Sequence, residues 1–559
     1  MNITVQKNNI MNNLKIRKLL FALMRITGVV SVCAVGVFTL SCTKDWDDHY
    51  NPDPAMVSDK NLMELISADP ELSTFAELLK QTKYDEVLSR NQAYTVWAPK
   101  NEALIDLDKN DPKEVLNAVE NHIARFIHNA SGSKNVRIYM KSAKFYRFAY
   151  DGGDYKLNES VLQDKNIVAK NGILHTLSVR VPFVSNLWQY MDFTPGFDSI
   201  KSYLYAYTKN EFSVSQSEAI DINEQGLTIY DSVFYVNNEF WSNSYYGRGI
   251  GYVNVEDSIY TMLMPTNKAW SETYELAKPF FLSNNPDPAM ADSTQRENAK
   301  YAIVENLVFR GKITNPASLD SLTSTRRVVF YDPSVVFVGG TPKEASNGLI
   351  YEMDKLNYAP WDAWHQKIRV EAEYGTGRET DTRIASLSTR YLDEKKYPQI
   401  SNFGGYLEVN AMNAGARPWV EFEIPNTLAG AYNIYCIFVP SVYYNPNQKV
   451  PDKTRVRATF YELRGAEWVS IGSDGELGGT ITPGENRTNE YEMTKMLLYE
   501  NFKFKYANYN ENMTTIKVRI ACSITTSEYS NGWTNNMKID CILLEPVIPS
   551  TEDEFTTED

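Results

Sequence analysis

The sequence predicts two α+β domains followed by an all-β sandwich of the jelly-roll type. Two motifs occur twice and predict the α+β pair. A β-prone run ends in a proline that leads into a helix at residues 98–104 and 264–270, and an Asn-Gly pair starts an apolar strand at residues 171–175 and 347–351. The third observation is the alternation of apolar and polar residues in short runs after about Asp362, which is typical of antiparallel sheets.

The chain begins with an export signal. Residues 1–41 contain five basic and no acidic side chains, and the apolar stretch at residues 26–40 is shorter than the ~20 residues that a spanning helix needs. Cys42 follows the small Ser41, and this pattern resembles the lipobox of bacterial lipoproteins, in which the cysteine carries the lipid. The alternative is an ordinary secreted protein that is cleaved near Ser41.

The acidic run at residues 43–48 resembles the signal that sends lipoproteins of Bacteroidetes-type bacteria to the outer face of the outer membrane. The resemblance implies a lipid-anchored protein in the outer membrane that faces the cell exterior. Residues 42–57 are then a tether, and the acidic stretch at residues 549–559 is predicted to be a disordered tail.

Composition excludes several classes of function. The 559 residues have a formal net charge of −14, so a nucleic acid is a poor partner for this chain. No Cys/His spacing predicts a zinc site, and none of the standard nucleophile, zinc-protease or phosphate-loop motifs is present. We therefore expect no enzyme and no required cofactor.

One helix is predicted between the two motifs of each α+β domain. In the first domain the apolar positions from Val115 to Ile127 follow the 3.6-residue helical period, and Ile303 to Val308 do the same in the second. The motifs at residues 94–103 and 171–175 resemble the two signatures of the fasciclin (FAS1) domain.

The fasciclin resemblance covers residues 58–185 as the first domain and residues 186–356 as the second. The family's Tyr-His element, which is tied to adhesion in some members, maps to Ile127-His128, where isoleucine replaces the tyrosine. The resemblance implies an adhesion or scaffold role through protein contacts.

The predicted sandwich covers residues 357–548. Its segments at residues 370–373, 419–432 and 539–546 resemble the galactose-binding-like jelly roll of family 6 and 35 carbohydrate-binding modules. The resemblance implies that the first and last strands lie side by side, and that Glu371, Glu373 and Asp540 hold a structural calcium ion. The alternative is an exposed acidic strand edge without an ion.

Four aromatic residues in polar, turn-rich stretches of the sandwich are candidates for stacking on a sugar ring: Tyr443, Tyr444, Tyr529 and Trp533. The alternatives are that they cap the sandwich or contact a protein partner. The leading hypothesis is a non-catalytic surface lipoprotein that binds extracellular glycan, as an accessory to a SusC/SusD-like uptake system. The alternative is an adhesion or scaffold protein that works through protein contacts of its fasciclin-like domains.

Overall fold

The computed structural model describes residues 58–213, 218–222, 228–231, 234–244, 247–447, 450–471, 487–509, 514–529 and 532–548. They belong to two units, of which the first ends at Phe183 and the second begins at Val184. The predicted signal peptide, the tether with Cys42 and the acidic tail lie outside the described residues. Within those ranges, no helix has the length and hydrophobicity needed to cross a membrane.

The first unit is an α+β domain. Its helices are α1 (Leu62–Ala68), α2 (Ser73–Gln81), α3 (Tyr84–Leu88) and α4 (Pro112–Glu120). Its strands are β1 (Tyr94–Pro99), β2 (Ile123–Arg125), β3 (Asn135–Tyr139), β4 (Phe145–Asp151), β5 (Asp154–Leu157), β6 (Ser160–Val161), β7 (Ile167–Ala169) and β8 (Gly172–Leu177). They form one sheet in the order β2-β1-β8-β7 and a second in the order β3-β4-β5-β6. The helices pack on the first sheet, and Trp97 and Phe148 belong to a separate core.

The second unit begins with a domain of the same plan. Its helices are α5 (Tyr190–Phe193), α6 (Asp198–Tyr205), α7 (Asn267–Ala277), α8 (Pro288–Val304) and α9 (Pro333–Val336). Its strands are β9 (Thr208–Phe212), β10 (Glu218–Ile222), β11 (Thr228–Asp231), β12 (Phe234–Asn238), β13 (Tyr260–Pro265), β14 (Val308–Arg310), β15 (Leu322–Thr323), β16 (Val329–Phe330), β17 (Thr341–Ala345) and β18 (Gly348–Met353). The main sheet has the order β14-β13-β18-β17, which is the order of the first domain.

The central strand pair of each domain has the same register. Strands β1 and β8 are parallel with Tyr94 opposite Gly172, and β13 and β18 are parallel with Tyr260 opposite Gly348. A Cβ on either glycine would overlap the carbonyl oxygen of the tyrosine opposite, so only glycine allows the two backbones to approach this closely. The repeated Asn-Gly motif therefore marks one structural position in both domains, and the predicted α+β pair is confirmed.

The asparagines of the other repeated motif, Asn101 and Asn267, form hydrogen bonds to helices that precede them in the chain. Asn101 Oδ1 accepts a hydrogen bond from the backbone N–H of Thr74 (2.9 Å), and Asn267 Oδ1 accepts one from Ser199 (2.8 Å). Thr74 and Ser199 lie in the first turns of α2 and α6, where backbone N–H groups lack partners within the helix. Each asparagine therefore caps an earlier helix instead of its own.

The predicted helix from Val115 to Ile127 is too long. Helix α4 ends at Glu120, and β2 then pairs antiparallel with β1. The same break separates α8 from β14 in the second domain. A three-residue strand that comes soon after a helix is too short to show a period of its own, so the helical pattern of the sequence extends through it.

The rest of the second unit is a sandwich of two antiparallel sheets, as predicted. One sheet has the order β21-β22-β29-β24-β27 with β19 beside β29, and the other has the order β20-β23-β28-β25-β26. The strands are β19 (Ile368–Glu371), β20 (Arg378–Glu379), β21 (Ala385–Tyr391), β22 (Gly405–Ala411), β23 (Trp419–Glu423), β24 (Ala431–Phe438), β25 (Val456–Arg464), β26 (Glu467–Ser470), β27 (Thr494–Lys503), β28 (Ile516–Cys522) and β29 (Met537–Pro546). Short helical turns are α10 (Ser401–Gly404), α11 (Ser441–Tyr444) and α12 (Thr526–Tyr529). The first and last strands lie side by side, as the resemblance implied.

The sandwich packs against the second α+β domain within this unit. Two backbone hydrogen bonds join them, from Ala429 N–H to the Phe280 carbonyl (2.9 Å) and from Ala507 N–H to the Leu282 carbonyl (2.7 Å). Leu428 of the sandwich is buried in the core of the α+β domain. Main-chain hydrogen bonds and a shared core hold the two in a fixed arrangement, so experiments on the sandwich need the neighbouring domain as well.

Candidate functional site

The predicted calcium ligands Glu371 and Asp540 lie on the neighbouring strands β19 and β29, where an arginine lies between them. Arg369 donates one hydrogen bond to Glu371 (2.9 Å) and one to Asp540 (3.0 Å). The hydroxyl of Ser401 also bonds to both carboxylates, at 2.6 Å and 2.9 Å. Burial raises the pKa of Asp540 to about 6, and Arg369 and Ser401 oppose that rise.

Glu373, the third predicted ligand, has a separate set of contacts. It is buried, one carboxylate oxygen accepts a hydrogen bond from the side chain of Asn402, and the other oxygen has no partner. Among the described residues, no three His, Cys, Asp or Glu side chains lie close enough to hold a metal ion. Calcium takes six to eight oxygen ligands, which can include backbone carbonyls and water. The structure brings Glu371 and Asp540 together around Arg369 and gives Glu373 a separate set of contacts, and calcium binding itself stays a prediction.

The predicted sugar-stacking residues Tyr443 and Tyr444 already contact other side chains of the chain. Tyr443 stacks on Tyr397 with ring centroids 4.4 Å apart, and its hydroxyl accepts a hydrogen bond from Gln399 (2.6 Å). The ammonium of Lys538 lies 4.0 Å from the centre of the Tyr444 ring. The hollow beside Tyr444 holds only about 20 Å³, which is too small for a sugar.

Trp533 and Tyr529 differ from each other in exposure. Trp533 is half-buried against the sandwich core, and Lys453 and Arg455 each lie 5.1 Å from its ring centre. Tyr529 is exposed at the end of α12. The contacts of Trp533 favour a structural role, and Tyr529 remains available for a ligand.

The outer face of the five-stranded sheet presents a group of residues that the sequence analysis did not select. Cross-strand register places Glu421 beside Arg519, and Glu423 beside Lys517 and then Tyr461. Side chains on these strands alternate, so Val420, Phe422 and Val518 face the core while their neighbours face outward. The result is a row of charges and aromatic rings on one surface.

Glu421 is the centre of that surface. Its side chain is only 3% exposed. The carboxylate forms an ion pair with the Lys517 ammonium (2.5 Å) and accepts a hydrogen bond from the Arg519 guanidinium (2.7 Å). The Arg519 guanidinium lies 4.1 Å from the centre of the Trp419 ring, and the Lys517 ammonium lies 4.5 Å from that of Trp468. Paired charges and cation–π contacts fix these side chains in place before any ligand arrives.

An open hollow of about 330 Å³ lies on this face. That volume is at the lower end of the range for small-molecule sites. We call it the sheet-face hollow, and it is lined by Gly377, Arg378, Glu379, Glu421, Glu423, Trp468 and Lys517. The hollow therefore places one aromatic side chain, Trp468, beside several charged hydrogen-bonding groups.

Alternation of exposed and buried residues in the sequence already marks this outer face. Trp419, Glu421 and Glu423 alternate with buried residues, and so do Lys517 and Arg519. Alternation showed which residues point outward but could not show that the two strands are adjacent. Only the pairing of β23 with β28 brings the acidic and basic residues together.

Comparison with protein families matches residues 70–179 to the fasciclin domain. The first α+β unit therefore contains a fasciclin domain, and its matched segment includes both predicted signatures at residues 94–103 and 171–175. A search of curated proteins finds no match to this sequence.

Several solved structures resemble parts of the chain at low identity. A FAS1 domain pair from the insect cell adhesion molecule Fasciclin I is 14% identical, with 52% of this chain and 98% of that chain covered and a TM-score of 0.19. A carbohydrate-binding module specific for non-crystalline cellulose is 9% identical, with coverage of 32% and 91% and a TM-score of 0.16. A carbohydrate esterase from the Shiga toxin-encoding bacteriophage phi24B is 12% identical, with coverage of 32% and 98% and a TM-score of 0.17. TM-scores this low indicate no ligand or activity for this chain.

Proposed function

We propose that this chain, with a fasciclin domain at residues 70–179, is a non-catalytic surface lipoprotein that binds extracellular glycan on its sandwich. The observation that carries the proposal is the sheet-face hollow, where Trp468 borders an open space of about 330 Å³ among fixed charged side chains. The loop aromatics Tyr443 and Tyr444 are weaker candidates, because the hollow beside Tyr444 holds only about 20 Å³.

The charges around the hollow favour a neutral sugar. Glu379, Glu421 and Glu423 are opposed by Arg378 and Lys517 in the lining and by Arg519 beside it. Because these charges balance, the site attracts neither anions nor cations strongly. It instead offers both donors and acceptors to hydroxyl groups, while Trp468 provides an apolar surface.

The position of the protein in the cell follows from the sequence proposals. A lipid on Cys42 would anchor the chain to the outer membrane facing the cell exterior, with residues 43–57 as the tether. A glycan-binding surface held there would suit an accessory to a SusC/SusD-like uptake system, and its retention in such a complex can be tested by co-purification from solubilised membranes.

The test uses the whole chain from residue 43, because the sandwich packs on the second α+β domain. Affinity electrophoresis in gels that contain neutral polysaccharides measures binding by retardation. We expect Trp468→Ala to weaken binding to the retarding polysaccharide about tenfold, which corresponds to about 1.4 kcal/mol. We expect Tyr529→Ala, an exposed aromatic on the loops, to bind as the unmodified chain does.

Two results would count against the site. If Tyr529→Ala loses binding and Trp468→Ala does not, the glycan binds at the loop end of the sandwich and not in the sheet-face hollow. No retardation by any polysaccharide, with the protein shown to be folded by its melting temperature, would contradict glycan binding itself.

The second candidate function is adhesion or scaffolding through the fasciclin domains, and the family match at residues 70–179 favours it. This function predicts that the whole chain from residue 43 captures a surface protein through residues 58–356 and that Trp468→Ala does not affect capture. Crosslinking on intact cells, followed by mapping of the crosslinked lysines, distinguishes it from glycan binding by the sandwich.

A further inference from the structure

A second open cleft lies in the first unit, where strands β2 and β3 separate. Ala124 forms a bridge to Met140, and the N–H of Lys141 donates to the Ile123 carbonyl (2.8 Å). The chain then turns away at Phe126, whose N–H bonds to the Ala93 carbonyl instead (3.1 Å). The separation leaves a cleft of about 330 Å³.

The lining of this cleft is basic. It contains Arg125, Arg137 and Lys141 and no acidic residue. The surrounding segment, residues 121–165, has eight basic and four acidic side chains in a chain whose overall net charge is −14. A local positive surface on an acidic protein attracts anions to one place and repels them elsewhere.

Two exposed aromatic rings border the cleft. Phe126 is 72% exposed and Tyr139 is 56% exposed, and both line the same cleft. Their rings are available to a ligand that has an apolar side as well as negative charge.

The backbone of Phe126 is held in a conformation that costs free energy. Its φ of +68° lies in the left-handed region, which bulky residues rarely adopt. Thr95 holds the turn, since its hydroxyl donates to the Phe126 carbonyl (2.8 Å) and accepts from the His128 N–H (2.9 Å). A strained backbone that displays an exposed ring is more readily explained by binding than by stability.

We infer that this cleft binds a polysaccharide that carries carboxylate or sulfate groups. Arg125 and Lys141 pair with the anionic groups, and Phe126 and Tyr139 contact the apolar sides of the sugar rings. The cleft contains both cations and aromatic rings, and a bare phosphate or sulfate ion would use only the cations. The inference does not depend on the sheet-face hollow, which lies in the other unit.

The test measures binding of the whole chain from residue 43 to polygalacturonate, which has carboxylates, to dextran sulfate and to neutral dextran. The double variant Arg125→Ala/Lys141→Ala removes two charges from the cleft. The control Lys60→Ala/Lys170→Ala removes two exposed charges elsewhere in the same unit. We expect the first to weaken binding to at least one anionic polymer by tenfold or more, and the control by less than twofold.

Phe126→Asn separates binding from stability. Asparagine tolerates the left-handed backbone, so the variant should be at least as stable as the unmodified chain, whereas loss of the ring should weaken binding several-fold. Trp468→Ala should leave binding of the anionic polymers unchanged, which keeps this test distinct from the one above.

Three results would overturn the inference. Equal weakening by the control variant would show that binding depends on overall charge. Binding of poly-glutamate but of neither anionic polysaccharide would assign the cleft to an acidic protein segment. Absence of binding to all the anionic polymers at low salt would show that the cleft is not an anion site.

Discussion

Replacing Asn171 by alanine should unfold the first unit more easily, by an amount that the structure allows us to estimate. The side chain accepts a hydrogen bond from the Leu62 N–H (2.8 Å) and donates to the carbonyls of Leu88 (2.7 Å) and Arg90 (2.7 Å). A hydrogen bond contributes about 1 kcal/mol net, so Asn171→Ala should lower the free energy of unfolding by about 3 kcal/mol. For a domain of this size, that is a fall of roughly 10 °C in melting temperature.

The second domain provides a matched test, because Asn347 makes the same three contacts. It accepts from the Leu187 N–H (2.9 Å) and donates to the carbonyls of Val253 (2.8 Å) and Val255 (3.2 Å). Because the third hydrogen bond is longer, Asn347→Ala should lower the free energy of unfolding by a similar or slightly smaller amount.

The assay is hydrogen exchange followed by mass spectrometry across a urea series, which reports unfolding separately for the peptides that contain β8 and β18. Asn171→Ala should lower the urea midpoint of the peptide that contains β8 and leave that of β18 unchanged. Asn347→Ala should lower the midpoint of the β18 peptide alone. The exposed Asn110 supplies the control, and Asn110→Ala should change stability by less than about 0.5 kcal/mol. A loss below about 1 kcal/mol in Asn171→Ala would refute the view that these side chains hold the helical layer to the sheet.

Two pH effects of opposite sign are also expected. Burial lowers the pKa of His122 and of His175 to about 4, so the unfolded chain binds more protons than the native chain between pH 6.5 and pH 4. The first unit should therefore lose up to about 3 kcal/mol per histidine as the pH falls through that window, and urea midpoints that stay constant from pH 7 to pH 5 would contradict this. Burial raises the pKa of Glu305, which accepts a hydrogen bond from Tyr509, to about 7. The native state then favours the protonated form, so stability should fall as the pH rises from 4.5 to 7, and Glu305→Gln should gain in melting temperature over the unmodified chain between pH 5 and pH 8.

The sequence predicted the parts of the fold that depend on local pattern. The Asn-Gly motif identified a position where only glycine lets two strands approach, and the same contact occurs at Gly172 and Gly348. Alternation in residues 419–424 and 516–520 correctly separated core from surface. These features depend on sterics and burial along one strand, and the residues of one strand are consecutive in the sequence.

The predictions were least complete where the surroundings of a side chain decide its role. Glu371 and Asp540 were assigned to calcium by the resemblance to carbohydrate-binding modules, and the structure shows that Arg369, on the same strand as Glu371, donates a hydrogen bond to each carboxylate. Trp533 was assigned to a ligand because it lies in a polar loop, and the structure shows that the residue is half-buried against the sandwich core, with Lys453 and Arg455 each 5.1 Å from its ring centre. Aromatic and charged residues satisfy one another in a folded protein, and sequence position does not reveal which of them remain available.

The charges around the two open sites therefore separate their ligands. In the sheet-face hollow the carboxylate of Glu421 is neutralised by Lys517 and Arg519, so a charged sugar would gain nothing from either sign. In the cleft of the first unit no carboxylate lines the space beside Arg125 and Lys141, so an anionic sugar gains ion pairs there that a neutral one lacks. If the protein binds a polysaccharide with both neutral and acidic units, the acidic units belong in the first unit. Raising the salt concentration should then release them while leaving binding at the hollow intact, because ion pairs at an exposed site are screened and stacking on Trp468 is not.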